Sequence, residues 1–152
     1  MKKLFIYYSL SGNGDCVAEY LSKNGFDVRR VQTAKKMPES FALQILKGGF
    51  SAGIGKKEKL KEYDRDVSGY DMICIGSPVW NGRITPAVNT VISELPLDGR
   101  DVCFILYAGG GEAPKAEKKI RKTVGGAGVV VLKEPKKDEN ELKKLDFLIR
   151  RE

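Results

Sequence analysis

Five short runs of apolar, β-branched and aromatic residues recur along the chain, separated by helix-patterned segments, and this alternation restricts the fold more than any other feature. The runs are Leu4–Tyr8, Phe26–Val31, Met72–Ile75, Val102–Tyr107 and Gly128–Leu132. Between and after them, apolar residues fall three and four apart, as in Val17/Tyr20/Leu21, Val88/Val91/Ile92/Leu95 and Leu142/Leu145/Leu148/Ile149. Asn24-Gly25 suits the close of a first helix, and Pro114 suits a first helical turn. Strands alternating with helices predict a parallel sheet covered on both faces. In such sheets ligands sit beyond the carboxyl ends of the strands, where the strand order reverses. The loops after the first, third and fourth strands are therefore the places to look.

At 152 residues the chain suits one domain, 1–152, with one core region. No apolar run is long enough to span a bilayer, so a membrane location is not expected. Met1-Lys2-Lys3-Leu4-Phe5-Ile6 is too short for a secretory signal and lacks a cleavage site, so it reads as the first strand of a cytoplasmic protein. The three cysteines, Cys16, Cys74 and Cys103, form no close pair and suggest neither a disulfide framework nor a Cys-based metal site. The chain has no histidine. That excludes Ser-His and Cys-His nucleophile pairs and removes the commonest transition-metal ligand. Its chemistry must come from carboxylates, lysines or a cofactor. The formal charge of +7 is spread over both halves rather than gathered in a tail. An even spread argues against nucleic acid as partner and favours acidic partners or anionic ligands.

The first loop is Ser9-Leu10-Ser11-Gly12-Asn13-Gly14. Hydroxyls, an amide and backbone N–H groups at a helix start suit a phosphate, with Ser11 or Asn13 as the expected helix cap. The helix dipole contributes about 0.3–1 kcal/mol for a negative charge there, and Asp15 opposes it. Gly12-x-Gly14-x-x-Val17 lacks the third glycine of a dinucleotide fingerprint, and no acidic residue closes the second strand. No Gly-Lys-Ser/Thr occurs either, so a dinucleotide or a triphosphate is disfavoured. The second loop, Gly76 to Pro86, carries the chain's one tryptophan, Trp80, which offers a stacking surface for a flat ring beyond the strand's end. The third loop, Leu106 to Pro114, has Gly109, Gly110 and Gly111 in a row, whose backbone groups suit the edge of a heterocycle. A phosphate grip, an aromatic plate and a polar backbone edge along one rim describe a flavin mononucleotide site.

On these residues the chain resembles the short-chain flavodoxins and flavodoxin-like proteins over essentially its full length. Ser9-Leu10-Ser11-Gly12-Asn13-Gly14 is similar to the family's phosphate loop, with Gly14 where threonine is usual. Gly76-Ser77-Pro78-Val79-Trp80-Asn81-Gly82 resembles the loop beside the isoalloxazine in many microbial members, and Ala108-Gly109-Gly110-Gly111 falls where the third flavin loop lies. The resemblance implies a three-layer α/β sandwich with a five-stranded parallel sheet of order 2-1-3-4-5 and helices on both faces. It implies FMN as cofactor, held by Ser9, Leu10, Ser11, Gly12, Asn13, Gly14, by Pro78, Val79, Trp80, Asn81, Gly82, and by Ala108, Gly109, Gly110, Gly111. An electron-transfer flavoprotein serving a redox partner protein follows, and the basic charge points to an acidic partner. Arg83, beside the ring loop, is the candidate for raising the flavin's potential.

Two other readings stand beside it: a small NAD(P)H-dependent flavin or quinone reductase, and a flavodoxin-fold binding module without flavin. The absence of a second nucleotide-binding region favours the carrier. Residues 41–65 fit the alternation less well; Phe41, Ile45 and Leu46 suggest a short helix before a glycine-rich stretch. Lys56, Lys57, Lys59 and Lys61 then read as a solvated face or as a dock for an acidic partner.

Overall fold

In the computed structural model, which describes residues 1–36, 38–40, 43 and 56–152, the first apolar run forms β1 (Lys3–Tyr7), an interior strand of the sheet. Leu4, Phe5 and Ile6 have no exposed surface, because helices cover both faces of the sheet. Each such side chain stabilises the fold by about 1.5–3 kcal/mol through burial. After β1 come α1 (Asn13–Lys23), β2 (Phe26–Arg30), β3 (Met72–Trp80), β4 (Arg83–Ile84), α2 (Pro86–Glu94), β5 (Asp101–Ala108), α3 (Pro114–Thr123) and β6 (Gly128–Lys133). A 3-10 helix, Glu139–Leu145, runs directly into α4 (Asp146–Ile149). The short helix expected around Phe41, Ile45 and Leu46 lies outside the described residues.

The long strands are parallel and lie in the order β2-β1-β3-β5-β6, which is the expected 2-1-3-4-5 once the two-residue β4 is set aside. Strand alternation sends Leu4, Ile6 and Tyr8 to one face and Phe5 and Tyr7 to the other. The first face packs on α2 and α3 through Val88, Val91, Ala116 and Ile120. The second packs on α1 and the C-terminal helices through Val17, Leu21, Leu145 and Leu148. Leu142, Leu145 and Leu148 are spaced three apart, which suits the eclipsed side chains of a 3-10 turn better than an α-helix. The buried Lys3 ammonium donates to the carbonyls of Leu148 and Ile149 at 3.0 and 2.7 Å, satisfying the end of α4. Among the described residues no helix is long and apolar enough to cross a membrane.

One expectation changes. The third strand does not stop at Ile75 but continues to Trp80, so Trp80 stands within the sheet rather than in a loop beyond it. Pairing with β5 carries the strand through Pro78, opposite Tyr107. Past that point it pairs antiparallel with β4, Val79 opposite Ile84 and Trp80 opposite Arg83. Asn81 and Gly82 make the turn with φ of 49° and 76°, both left-handed, as a tight two-residue hairpin requires. Beneath it the fully buried Ser77 hydroxyl accepts from the Thr85 N–H at 3.2 Å and donates to the Pro78 carbonyl at 2.8 Å.

Candidate functional site

The crossing from β1 to α1 lies at the point where the strand order reverses, and its backbone is braced from within. Ser9 is buried, and its Oγ accepts from the N–H groups of Gly12 and Gly14 at 3.2 and 3.1 Å. Gly12, with φ of 97°, is the residue that caps α1; neither Ser11 nor Asn13 caps it. The Asn13 Oδ1 instead accepts from the Lys136 N–H at 3.0 Å. Gly14 is closely confined. A Cβ there would lie 2.5 Å from the Tyr107 hydroxyl and 2.8 Å from the Ser9 Cβ. The Tyr107 hydroxyl itself donates to the Tyr8 carbonyl, tying the end of β5 to the start of the loop.

Two cations flank this loop. On one side Arg30 donates to the Asp15 carboxylate at 3.0 Å and to the Ser9 carbonyl at 3.2 Å. Asp15 also accepts from the Tyr7 hydroxyl at 2.8 Å. Burial, with that bond and the Asp15 charge added, pushes the Tyr7 phenol up to about 12. The opposition that Asp15 offers to an anion is thus offset by Arg30. On the other side Lys136, in the connection after β6, donates from Nζ to the Ser11 carbonyl at 3.0 Å. Its stem passes 3.3 Å from where a Gly12 Cβ would stand. Lys136 was not among the residues expected from the sequence. It sits 123 positions from Asn13, and nothing local in a chain with 27 lysines and arginines marks it out.

The remaining predicted residues divide into buried and presented groups. Trp80 is 7% exposed, and its ring meets Tyr8 edge-on with centroids 5.9 Å apart. It does not lie open as a free plate; it forms a stiff wall with Tyr8 under the loop. Burial, then the charge of Glu58, pushes the Tyr8 phenol up to about 12. Pro78, Val79 and Gly82 are half-buried, and Asn81 is exposed at the hairpin tip. Ala108 is buried at the end of β5, and the Gly111 N–H closes a turn onto its carbonyl at 3.1 Å. Gly109 and Gly110 face open space, since a Cβ on either would meet nothing within 4 Å.

Pairing brings these pieces to one rim. The Tyr8 N–H donates to the Gly76 carbonyl at 3.1 Å, joining the first loop to β3, and Pro78 lies opposite Tyr107, joining the hairpin to the glycine turn. A cleft of about 470 Å³ opens beside the first loop, lined by Tyr8, Ser9, Leu10, Arg30, Thr33 and Lys36. Cys16 is half-buried with Sγ 3.7 Å from the Pro135 carbonyl, and burial raises its thiol. The arrangement sets a glycine-lined loop flanked by two cations beside an aromatic wall and an open backbone edge.

Comparison with known proteins adds to this geometry. The family model described as NADPH-dependent FMN reductase matches residues 1–136. No curated protein matches the chain. Among solved structures, a Bacteroides uniformis protein described as a flavoprotein is 20% identical with a TM-score of 0.75, over 95% of this chain and 97% of that one. A flavoprotein from Lactobacillus acidophilus, solved in complex with FMN, is 21% identical with a TM-score of 0.63, over 91% and 97%. A flavodoxin from the domain Archaea is 16% identical with a TM-score of 0.53, over 98% and 96%. At these identities the structures establish the flavodoxin-like fold.

Proposed function

The chain belongs to the NADPH-dependent FMN reductase family, and from that premise we propose that it is an FMN-binding redox protein that works as an electron carrier. The observation that carries this reading is the braced loop from Ser9 to Gly14 between Arg30 and Lys136, built for an anion at the switch point of the sheet. When bound, FMN supplies the ring that accepts and returns electrons.

The chain's own residues bind, orient and shield that group. Ser11, Asn13 and the Lys136 ammonium, at the start of α1, hold the phosphate end. Ser9 acts from beneath the loop, keeping the N–H groups of Gly12 and Gly14 in place. Arg30 engages Asp15 and turns its charge away from the anion. At the other end, Pro78, Val79, Asn81 and Gly82 form one edge of the ring site, stiffened by the Tyr8–Trp80 pair behind them. Ala108, Gly109, Gly110 and Gly111 form the opposite edge, where small residues leave room for close approach.

The family's description favours a second reading, a reductase that takes hydride from NADPH. Mixing FMN-loaded protein with NADPH under anaerobic conditions separates the two. A carrier gives negligible loss of flavin absorbance and negligible turnover with a quinone. Bleaching faster than about 1 per second, within the ordinary range of enzyme turnover, assigns the reductase.

A further inference from the structure

Helix α3 carries Lys115, Lys118, Lys119, Arg121 and Lys122 against a single carboxylate, Glu117. Lys115, Lys118, Lys119 and Lys122 fall three and four apart and so share one stripe, lining a shallow trough of about 480 Å³. Like charges at this spacing destabilise a helix, so the stripe is a local cost to folding. Several cations elsewhere on the surface are paired, among them Arg29 with Asp64, Arg30 with Asp15, Arg65 with Glu94, Lys144 with Glu141 and Arg151 with Asp101. Among the described residues, no ion pair engages the five cations of α3.

The stripe borders an apolar groove and reaches the candidate site. Between α2 and α3 a groove of about 430 Å³ is lined by Ile92, Leu95, Leu97 and Val124, with Lys57 and Lys119 and one carboxylate, Asp98, among its walls. Lys57 is held there because its segment is tied to α2: the Thr90 hydroxyl accepts from the Glu58 N–H at 2.9 Å, and the Asn89 amide donates to the Lys56 carbonyl at 3.0 Å. At its other end the stripe meets the hairpin, where the Lys115 Cδ lies 3.6 Å from the position of a Gly82 Cβ. An apolar trough edged by cations has the composition of a protein interface: a desolvated centre with charges that steer and orient.

We propose that α3 and the groove beside it dock an acidic protein, whose carboxylates meet Lys115, Lys118, Lys119 and Lys122 and bring it to the hairpin edge of the flavin site. Protein rather than nucleic acid is favoured because the lysines flank an apolar groove, which offers nothing to a phosphate backbone. The redox reading identifies the partner as an electron carrier; the docking itself does not depend on flavin.

An acidic [2Fe–2S] ferredoxin is the probe, run against both flavin-free and FMN-loaded protein. Carbodiimide coupling of its carboxylates to lysines, mapped by mass spectrometry, is expected to mark Lys115, Lys118, Lys119 and Lys122. Affinity is expected to fall at least tenfold between 20 and about 200 mM salt, as screening shortens to below about 10 Å. Lys118→Glu with Lys122→Glu lowers affinity at least tenfold. Lys143→Glu with Arg150→Glu makes the same change of charge on the opposite face and leaves affinity within twofold. Absence of binding, cross-links outside the stripe, or equal losses in the two double variants would overturn the proposal. So would tighter binding of duplex DNA or phosphatidylglycerol vesicles to the same lysines. Docking without flavin uptake would leave the interface standing and remove the redox reading.

Discussion

The Tyr107 hydroxyl occupies the space that a side chain at position 14 would need: a Cβ on Gly14 would lie 2.5 Å from it. This explains why the loop ends in glycine where the resembling family usually has threonine. Tyr107 is buried and bonded to the Tyr8 carbonyl, so it cannot swing aside cheaply. Gly14→Ala gains about 1 kcal/mol of helix propensity but meets an overpacking cost of about 1–3 kcal/mol with two rigid neighbours. The expected result is net destabilisation in denaturant unfolding. Tyr107→Phe removes the oxygen, so the double variant should lose less than the sum of the two single losses. Strict additivity would show that the contact is not what excludes a side chain.

Lys136 gives a sharper test of the proposed anion grip, because its ammonium holds the Ser11 carbonyl and also stands beside the place proposed for the phosphate. Lys136→Met should weaken FMN binding about twofold to fivefold at low salt, in line with the 1 kcal/mol or less expected of an exposed ion pair. Riboflavin, which lacks the phosphate, should bind the variant and the parent equally. Equal weakening of both ligands would make Lys136 a structural latch on Ser11 and Asn13 only.

Trp80 is buried, so its first contribution is to stability. Trp80→Ala should cost about 3–5 kcal/mol, as truncation of a buried aromatic does, while Trp80→Phe should retain most of the packing against Tyr8. As the one tryptophan, it should emit at shorter wavelength in the native chain than in the unfolded one, and FMN should quench it. A native spectrum matching the unfolded chain would contradict its burial.

All six tyrosines are held above the ordinary phenol value of 10. Burial is the leading cause for Tyr7, Tyr8, Tyr63 and Tyr107; for Tyr20 and Tyr70 it is a hydrogen bond to an aspartate. Because the folded phenols keep their protons where unfolded ones lose them, this stabilisation is full below pH 10. It is lost as pH rises toward about 12, the value for Tyr7 and Tyr8. Phenolate absorbance should therefore rise above pH 10, together with loss of the native far-ultraviolet signal. A tyrosine titrating reversibly at 10 in folded protein would contradict the packing.

The sheet was legible because each strand announces itself locally, through a run of apolar residues between turn formers. The hairpin is also written locally, since Asn81-Gly82 is the strongest short signal for a two-residue turn, although the apolar run itself ends at Ile75 and a proline within a strand is unusual. Pro78 is tolerated because the strand leaves the parallel sheet immediately after it. Other features depend on distant pairing and have no local mark. Trp80 is buried because β1 brings Tyr8 against it, and Lys136 reaches Ser11 only after the chain has passed through β6. Ser9 and Ser11 look alike in the sequence, but the fold turns one hydroxyl inward to brace the loop and leaves the other exposed.

The central claim is that this chain holds FMN, and a visible absorbance spectrum tests it most directly. The purified protein is mixed with excess FMN and desalted. The account predicts retained flavin bands at one FMN per chain, with Trp80 fluorescence quenched. Protein that emerges colourless, with its tryptophan emission unchanged by FMN, would contradict it and leave the loop from Ser9 to Gly14 to another anion.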